Sequence, residues 1–277
     1  MKRINFLILL IIVLSSITLN AQDRLIYNGK TIYIKENPLK NISSFDSLRV
    51  RLFGDKKITS KIFSNWDDYR GYATEWKIID KELYLIGIYD DFRDRNHVAN
   101  LKELFGYKCI NGKVKADWFS GAIYCTLGKL LYRDECGVMI IYEVFDFEKM
   151  LRFKSGELCE IKILDNTKTC LSDFSYKKLD EFISSSINWS ILPKDIDKRT
   201  FVNIHFSANE KGKIDMVEIP NNRFNNQVPM VFKQEAIRVI KSIPKWDIIY
   251  LHGVHKRKIS YINIDFSEES LKRNVKK

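Results

Sequence analysis

Hydrophobic periodicity changes once along this chain, and that change limits the folds open to it. Up to about residue 165, apolar and polar residues alternate in short runs, the period of half-buried strands. Past residue 175, two segments take on spacings of three and four, the period of amphipathic helices, with alternating runs between and after them. The pattern predicts an α+β chain. An all-β antiparallel amino-terminal domain precedes a small carboxy-terminal domain in the order helix, β-hairpin, helix, β-strand. The 277 residues suffice for two such domains, and an apolar fraction of 45% with 13% aromatic residues excludes general disorder.

The first residues set the expected compartment. Lys2 and Arg3 precede an apolar run over 4–14, interrupted by Asn5, and small and polar residues then lead to Ala21. This is the layout of a secretory signal peptide over 1–21. The run is about half the ~20 residues a bilayer span needs, and no other segment is long and apolar enough to be one. The first cysteine is Cys109, too late for a lipoprotein anchor. The expected location is therefore the periplasm or cell envelope of a Gram-negative bacterium.

Export changes the meaning of the charge. Lys and Arg number 46 against 35 Asp and Glu, a formal net charge of +11 that in a cytosolic protein would raise nucleic acid as a partner. In an exported chain with acids interleaved almost throughout, as at Lys35 and Glu36 or Lys81 and Glu82, it reads as solvated surface with no nucleic-acid partner. The acid-free runs are Lys256, Arg257 and Lys258, and the tail 273–277. They are candidate contacts for anionic lipid or polysaccharide.

Five cysteines (Cys109, Cys125, Cys136, Cys159 and Cys170) leave at least one without an intrachain partner. The spacing of Cys125 to Cys136 and of Cys159 to Cys170 is compatible with cross-strand pairing and equally with isolated buried thiols. No Cys-x-x-Cys occurs and no Cys adjoins a His, so neither a metal nor another cofactor is implied.

The expected division is a β-rich domain over 22–165, a polar linker over 166–175, a second domain over 176–267 and a basic tail over 268–277. In the first domain, Asn28-Gly29 and Asn111-Gly112 are strong hairpin signals, and Asp80-Lys81 joins strands at 71–79 and 83–88. Further strands are expected at 50–53, 59–63, 121–125, 138–145 and 157–164, with a helical turn near 97–105. A meander, a half-barrel and a sandwich all fit.

In the second domain Tyr176, Leu179, Phe182, Ile183 and Ile187 form one helix face. A hairpin follows, with strands at 200–207 and 213–219 and a phase change near Asp215 and Met216 that marks a bulge. Phe232, Ala236, Val239, Ile240 and Ile243 then define a helix of about 12 residues stopped by Pro244. In the final strand Ile262, Ile264 and Phe266 face inward, and Tyr261, Asn263 and Asp265 outward.

These residues carry a resemblance. Trp189-Ser190-Ile191-Leu192-Pro193, the hairpin around Lys211-Gly212-Lys213-Ile214, and the run from Glu235-Ala236 to Pro244-Lys245-Trp246 are similar to the TonB carboxy-terminal domain, as is the last strand. The likeness covers about 174–267. TonB's uncleaved anchor and Pro-rich linker are missing, and so are the usual glycines before the first strand, where Asp195, Ile196, Asp197, Lys198 and Arg199 stand. The resemblance therefore implies the fold and a mode of binding rather than energy transduction. An extended peptide or envelope protein would add as a strand to the final strand, beside Tyr261, Asn263 and Asp265.

The enzyme case is thin. His252 and His255 lie in a Gly253-containing loop with no carboxylate near them in sequence until Asp265, and Ser120 lacks a nucleophile-elbow context. Asp67-Asp68 and the acids of 90–95 could flank a sugar beside Trp66 or Trp118, but adjacent acids on a strand point to opposite faces. The expectation is a non-enzymatic binding or envelope-scaffolding protein. The alternative is a secreted hydrolase of envelope or host glycans acting through the first domain. A concave pocket with converging carboxylates would favour the alternative, and an open sheet edge the binding protein.

Overall fold

Pairs of residues with positive φ fold the strands of this chain back on themselves. Asn28 and Gly29 (φ 50° and 73°), Asn111 and Gly112 (51° and 73°), and Ser155 and Gly156 (48° and 77°) each close a two-residue turn. Such turns twist with the strands they join. Asp80 and Lys81 do the same at 50° and 67° without a glycine. The computed structural model describes residues 23–42, 72–89, 99–136, 139–174, 176–193 and 200–275. The expected leader, the strands at 50–53 and 59–63, Trp66, the acids at 67–68 and 90–95, and His97 lie outside them.

The chain is α+β and strand-rich, with largely antiparallel sheets. It forms two compact units, Met1–Thr126 with Lys149–Ile163, and Leu127–Glu148 with Leu164–Lys277. The change of pattern near 165 falls beside the second junction. The assignment of Leu127–Glu148 to the second unit has no counterpart in the sequence pattern.

The first unit contains β1 (Asp23–Tyr27), β2 (Lys30–Ile34), β3 (Ala73–Ile79), β4 (Glu82–Tyr89), β5 (Cys109–Ile110) and β6 (Lys113–Lys115). It also takes in parts of β7 (Gly121–Cys136), β8 (Met139–Lys154) and β9 (Glu157–Asp165). The strand order is β2-β1-β3-β4-β9-β8-β7, with β6 also on β4 and β5 on β6. The β1–β3 pair is parallel, placing Leu25 opposite Trp76. Trp76 is wholly buried among Leu25, Leu83, Leu85 and Val114, and its Nε1 donates to Thr74 Oγ1 at 2.6 Å, so the indole keeps a partner. The expected helical turn is Leu101–Phe105, capped by Asn100, whose Oδ1 accepts from the N–H of Lys102 and Glu103.

In the second unit β10 (Phe201–Ala208) is the centre of a three-stranded antiparallel sheet, ordered β11 (Ile214–Glu218), β10, β14 (Ser260–Asp265). A separate hairpin joins β12 (Ile249–Leu251) to β13 (Val254–Lys256). The helix Met230–Lys241 buries Phe232, Ala236, Val239 and Ile240 with Val202, Ile204, Phe206 and Ile264 of the sheet. The helix Tyr176–Ser186 adds Leu179 and Ile183 to the same core. Glu235 is also buried, and its carboxylate accepts from Asn188 N–H at 2.6 Å and from Arg238, tying the chain after the first helix to the second.

The β10–β11 register passes from Ser207–Met216 to Ala208–Ile214, so Asp215 is the extra residue of a bulge where the phase change placed one. The polar stretch expected as a linker is tied into this unit over its described residues 166–174. Cys170 bridges Ile248, Ser172 N–H donates to Asp247, and Thr169 bonds the main chain of Tyr250. Cys109 and Cys125 are buried free thiols, and Cys159 and Cys170 are unpaired.

Candidate functional site

The main chain of β14 shows two directions. Opposite β10, Asn263 faces Asn203, Ile262 faces Ile204 and Tyr261 faces His205. Phe266 N–H donates to Thr200 O at 2.8 Å, which fixes the phase of the ladder. Ser260, Ile262 and Ile264 turn their main-chain groups toward β10, while Tyr261, Asn263 and Asp265 turn theirs away. Asn203 agrees, since its N–H leaves the β10–β14 ladder and donates to Asn225 Oδ1 at 3.0 Å. Among the described residues β14 has β10 on one side and no strand on the other.

The side chains follow the expected alternation. Tyr261 is 68% exposed and stands edge-on to His205, with ring centroids 4.5 Å apart. Asn263 Oδ1 accepts from Asn203 Nδ2 at 2.8 Å, and Asp265 Oδ1 accepts from Ser267 N–H at 2.8 Å. On the other face Ile264 and Phe266 are buried. There a narrow cleft of about 60 Å³ separates β14 from the helix Tyr176–Ser186. Leu179, Ile183 and Ile187 form one wall, Ile262 and Ile264 the other, and Asp180 and Asp265 also line it. Periodicity identified both apolar walls. It could not show that a gap separates them, because that depends on where the helix sits.

The basic run has partners within the protein. Lys256 Nζ lies 4.8 Å from the Tyr142 ring centroid. Arg257 pairs with Asp215 and donates to Ser207 Oγ at 3.2 Å. Lys258 bonds the Tyr132 hydroxyl and lies 3.7 Å from Asp134. The Arg257 guanidinium holds the Asp215 carboxyl below the usual aspartate range.

One polar cluster is absent from the sequence reading. Glu148 is buried, and its Oε2 lies 2.9 Å from His252 N, 3.0 Å from His252 Nδ1 and 3.1 Å from Asn166 Nδ2. Asn166 Oδ1 accepts in turn from Gly253 N–H at 2.8 Å. No carboxylate stands near the His252 loop in sequence, but the fold brings one to it from a glutamate 104 positions away. That loop is the tip of the β12–β13 hairpin, with His252 and Gly253 at φ 57° and 76°. Burial alone would raise the Glu148 carboxyl, but the hydrogen bonds from His252 and Asn166 hold it below the ordinary glutamate range.

The first unit has an open concavity of about 790 Å³ beside Asn100, Lys102, Tyr107 and Asn111, and none of the described residues lining it is acidic. Among the described residues no group of three or more His, Cys, Asp or Glu is placed to hold a metal, and no helix is long and apolar enough to cross a membrane. Comparison with protein-family models, with curated proteins and with solved structures returned no match for this chain.

Proposed function

We propose that this chain is an exported, non-enzymatic binding protein of the bacterial envelope. Its carboxy-terminal region, similar to the TonB carboxy-terminal domain, captures an extended peptide by strand addition to β14, and the strand-rich amino-terminal region forms a separate domain. The observation that carries this reading is the direction of the main chain at Tyr261 and Asn263, away from β10 on a strand with one strand neighbour among the described residues. Strand addition draws its affinity from such main-chain groups, and side chains set preference. The glycan-hydrolase reading needs converging carboxylates, and the concavity beside Tyr107 lacks them among its described lining.

Proline separates main chain from side chain. Asn263→Pro removes an outward N–H and leaves the ladder to β10 intact, a placement that edge strands tolerate. Asn263→Ala is the control for the lost side-chain bond to Asn203. With the full chain immobilised and exposed to envelope extract, Asn263→Pro is expected to lose the captured partners that Asn263→Ala keeps, with unchanged circular dichroism. Equal capture by both variants would sink the proposal.

A further inference from the structure

We propose that Cys170 and Lys245 form an oxidation-dependent covalent link, a sulfenamide between Sγ and Nζ. Lys245 Nζ lies 3.3 Å from Cys170 Sγ across 75 positions of sequence. The main chain holds both residues in place. Cys170 exchanges two main-chain hydrogen bonds with Ile248, at 2.9 Å and 2.8 Å, and Ser172 N–H donates to Asp247 Oδ1 at 2.8 Å. Beside Lys245, Trp246 N–H donates to Gly212 O at 2.9 Å, and a Cβ on Gly212 would lie 2.9 Å from Lys245 Cγ. Holding a nucleophile and its target in one geometry replaces a bimolecular encounter with a local step. The thiol is free and half-buried and the amine is exposed, so a small oxidant reaches the pair. Cys159 differs: its exposed Sγ lies 3.3 Å from the Arg152 carbonyl, an oxygen that cannot close such a bond.

Hydrogen peroxide is the oxidant. The Cys170 thiolate attacks one peroxide oxygen, the O–O bond breaks, the sulfur is oxidised to a sulfenic acid, and the other oxygen leaves as hydroxide. That hydroxide takes a proton from the Lys245 ammonium and becomes water. The freed amine attacks the sulfenic sulfur. An S–N bond forms, the S–O bond breaks, and the departing hydroxyl takes an amine proton as a second molecule of water. A dithiol reverses the link. One thiolate attacks the sulfur and displaces the lysine amine, and the second releases Cys170 as the dithiol closes to a disulfide. The link joins covalently two stretches that the Cys170–Ile248 bridge joins by hydrogen bonds, and closing so long a loop restricts the unfolded chain.

The test treats the full chain with dilute hydrogen peroxide, folded and in urea, and maps its peptides by mass spectrometry. The folded parent is expected to yield the Cys170 peptide joined to the Lys245 peptide, lighter than their sum by a pair of hydrogens, and dithiothreitol is expected to separate them. The oxidised parent should unfold at a higher urea concentration than the reduced one. Lys245→Arg keeps the positive charge and lacks the amine. It is expected to stop at the sulfenic acid, so that dimedone labels its Cys170 several-fold more than in the parent. Cys159→Ser is expected to link as the parent does. Equal dimedone labelling of Cys170 in the parent and Lys245→Arg, without joined peptides, would overturn the proposal, as would a Cys170 that peroxide leaves reduced. A joined pair that retains an oxygen would overturn the direct sulfur–nitrogen bond. Linking that persists in urea would overturn the role of the folded geometry.

Discussion

The Asn225 side chain stands to Asn203 as a neighbouring strand would. Its Oδ1 accepts from Asn203 N–H at 3.0 Å and its Nδ2 donates to the Asn203 carbonyl at 2.9 Å. β11 pairs with β10 only from His205 onward, so the amide completes the sheet where the strand has left it. Asn225 is 1% exposed, and its Nδ2 also donates to Pro220 O at 2.9 Å. Asn225→Ala strands two carbonyls and an N–H, so a loss of about 2–3 kcal/mol is expected. Urea denaturation followed by circular dichroism measures it, and a midpoint equal to the parent's would show that water replaces the amide at no cost.

Acid should weaken the second unit for a reason that can be localised. Burial pushes the carboxyls of Glu148 and Glu235 up, but hydrogen bonds from His252 and Asn166 in one case, and from Arg238 and the Asn188 N–H in the other, hold both below the ordinary range. A folded-state value below the unfolded one, about 4.3, means that the unfolded chain takes up protons more readily. Their contribution is therefore present above that value and is lost as pH falls through the folded values. Denaturation midpoints measured from pH 7 to pH 3 should fall in this window, and Glu235→Gln should make the fall shallower.

Two turns of similar shape should respond with opposite sign. Gly156 has φ +77°, and a Cβ there would lie 2.6 Å from the Ala116 carbonyl oxygen. Gly156→Ala is expected to cost at least about 1 kcal/mol from the backbone alone, with the clash in addition. Lys81, exposed with φ 67°, already bears the left-handed strain. Lys81→Gly relieves it and is expected to be neutral or to stabilise by a few tenths of a kcal/mol, the gain offset by unfolded-state entropy. Paired thermal melts decide both.

Thiol reactivity should follow burial. Cys159 is exposed and its Sγ contacts the Arg152 carbonyl at 3.3 Å, whereas burial pushes the Cys125 thiol up to about 12. Cys159 is expected to react with a disulfide reagent in the native protein and Cys125 only on unfolding. Mass mapping of labelled peptides after a short exposure checks this, and early labelling of Cys125 would contradict its burial.

What the sequence disclosed depended on how locally each feature was written. The helix Met230–Lys241, the Asn-Gly turns and the bulge at Asp215 are set by neighbours within one or two turns of chain, and the pattern located them. β8 runs beyond the expected end at 145, through Asp146 and Glu148. In the fold Asp146 accepts from the N–H of Lys129 and Phe147, and Glu148 from His252, so these acids sit within a strand. The parallel pairing of β1 with β3 and the Glu148–His252 contact join residues far apart in the chain, and single-sequence periodicity carries no signal for either. At the candidate site the outward residues Tyr261, Asn263 and Asp265 were legible by alternation. The direction of their main chain was not, since it depends on the phase of the ladder to β10.

The interleaving of the two units along the chain constrains the order of events at the ribosome. Leu127–Glu148 is synthesised before Lys149–Ile163, yet its partners in the second unit, among them His252 and Lys258, emerge more than a hundred residues later. The first unit can close once residue 163 is available, whereas this early-made hairpin arm must wait, with Tyr132 lacking Lys258 and Glu148 lacking His252, until the last strands arrive. The chain thus carries an unfinished surface through the final part of its synthesis. A gene truncated after Asp165 would leave that surface permanently unfinished, and one begun at Asn166 would lack the arm altogether.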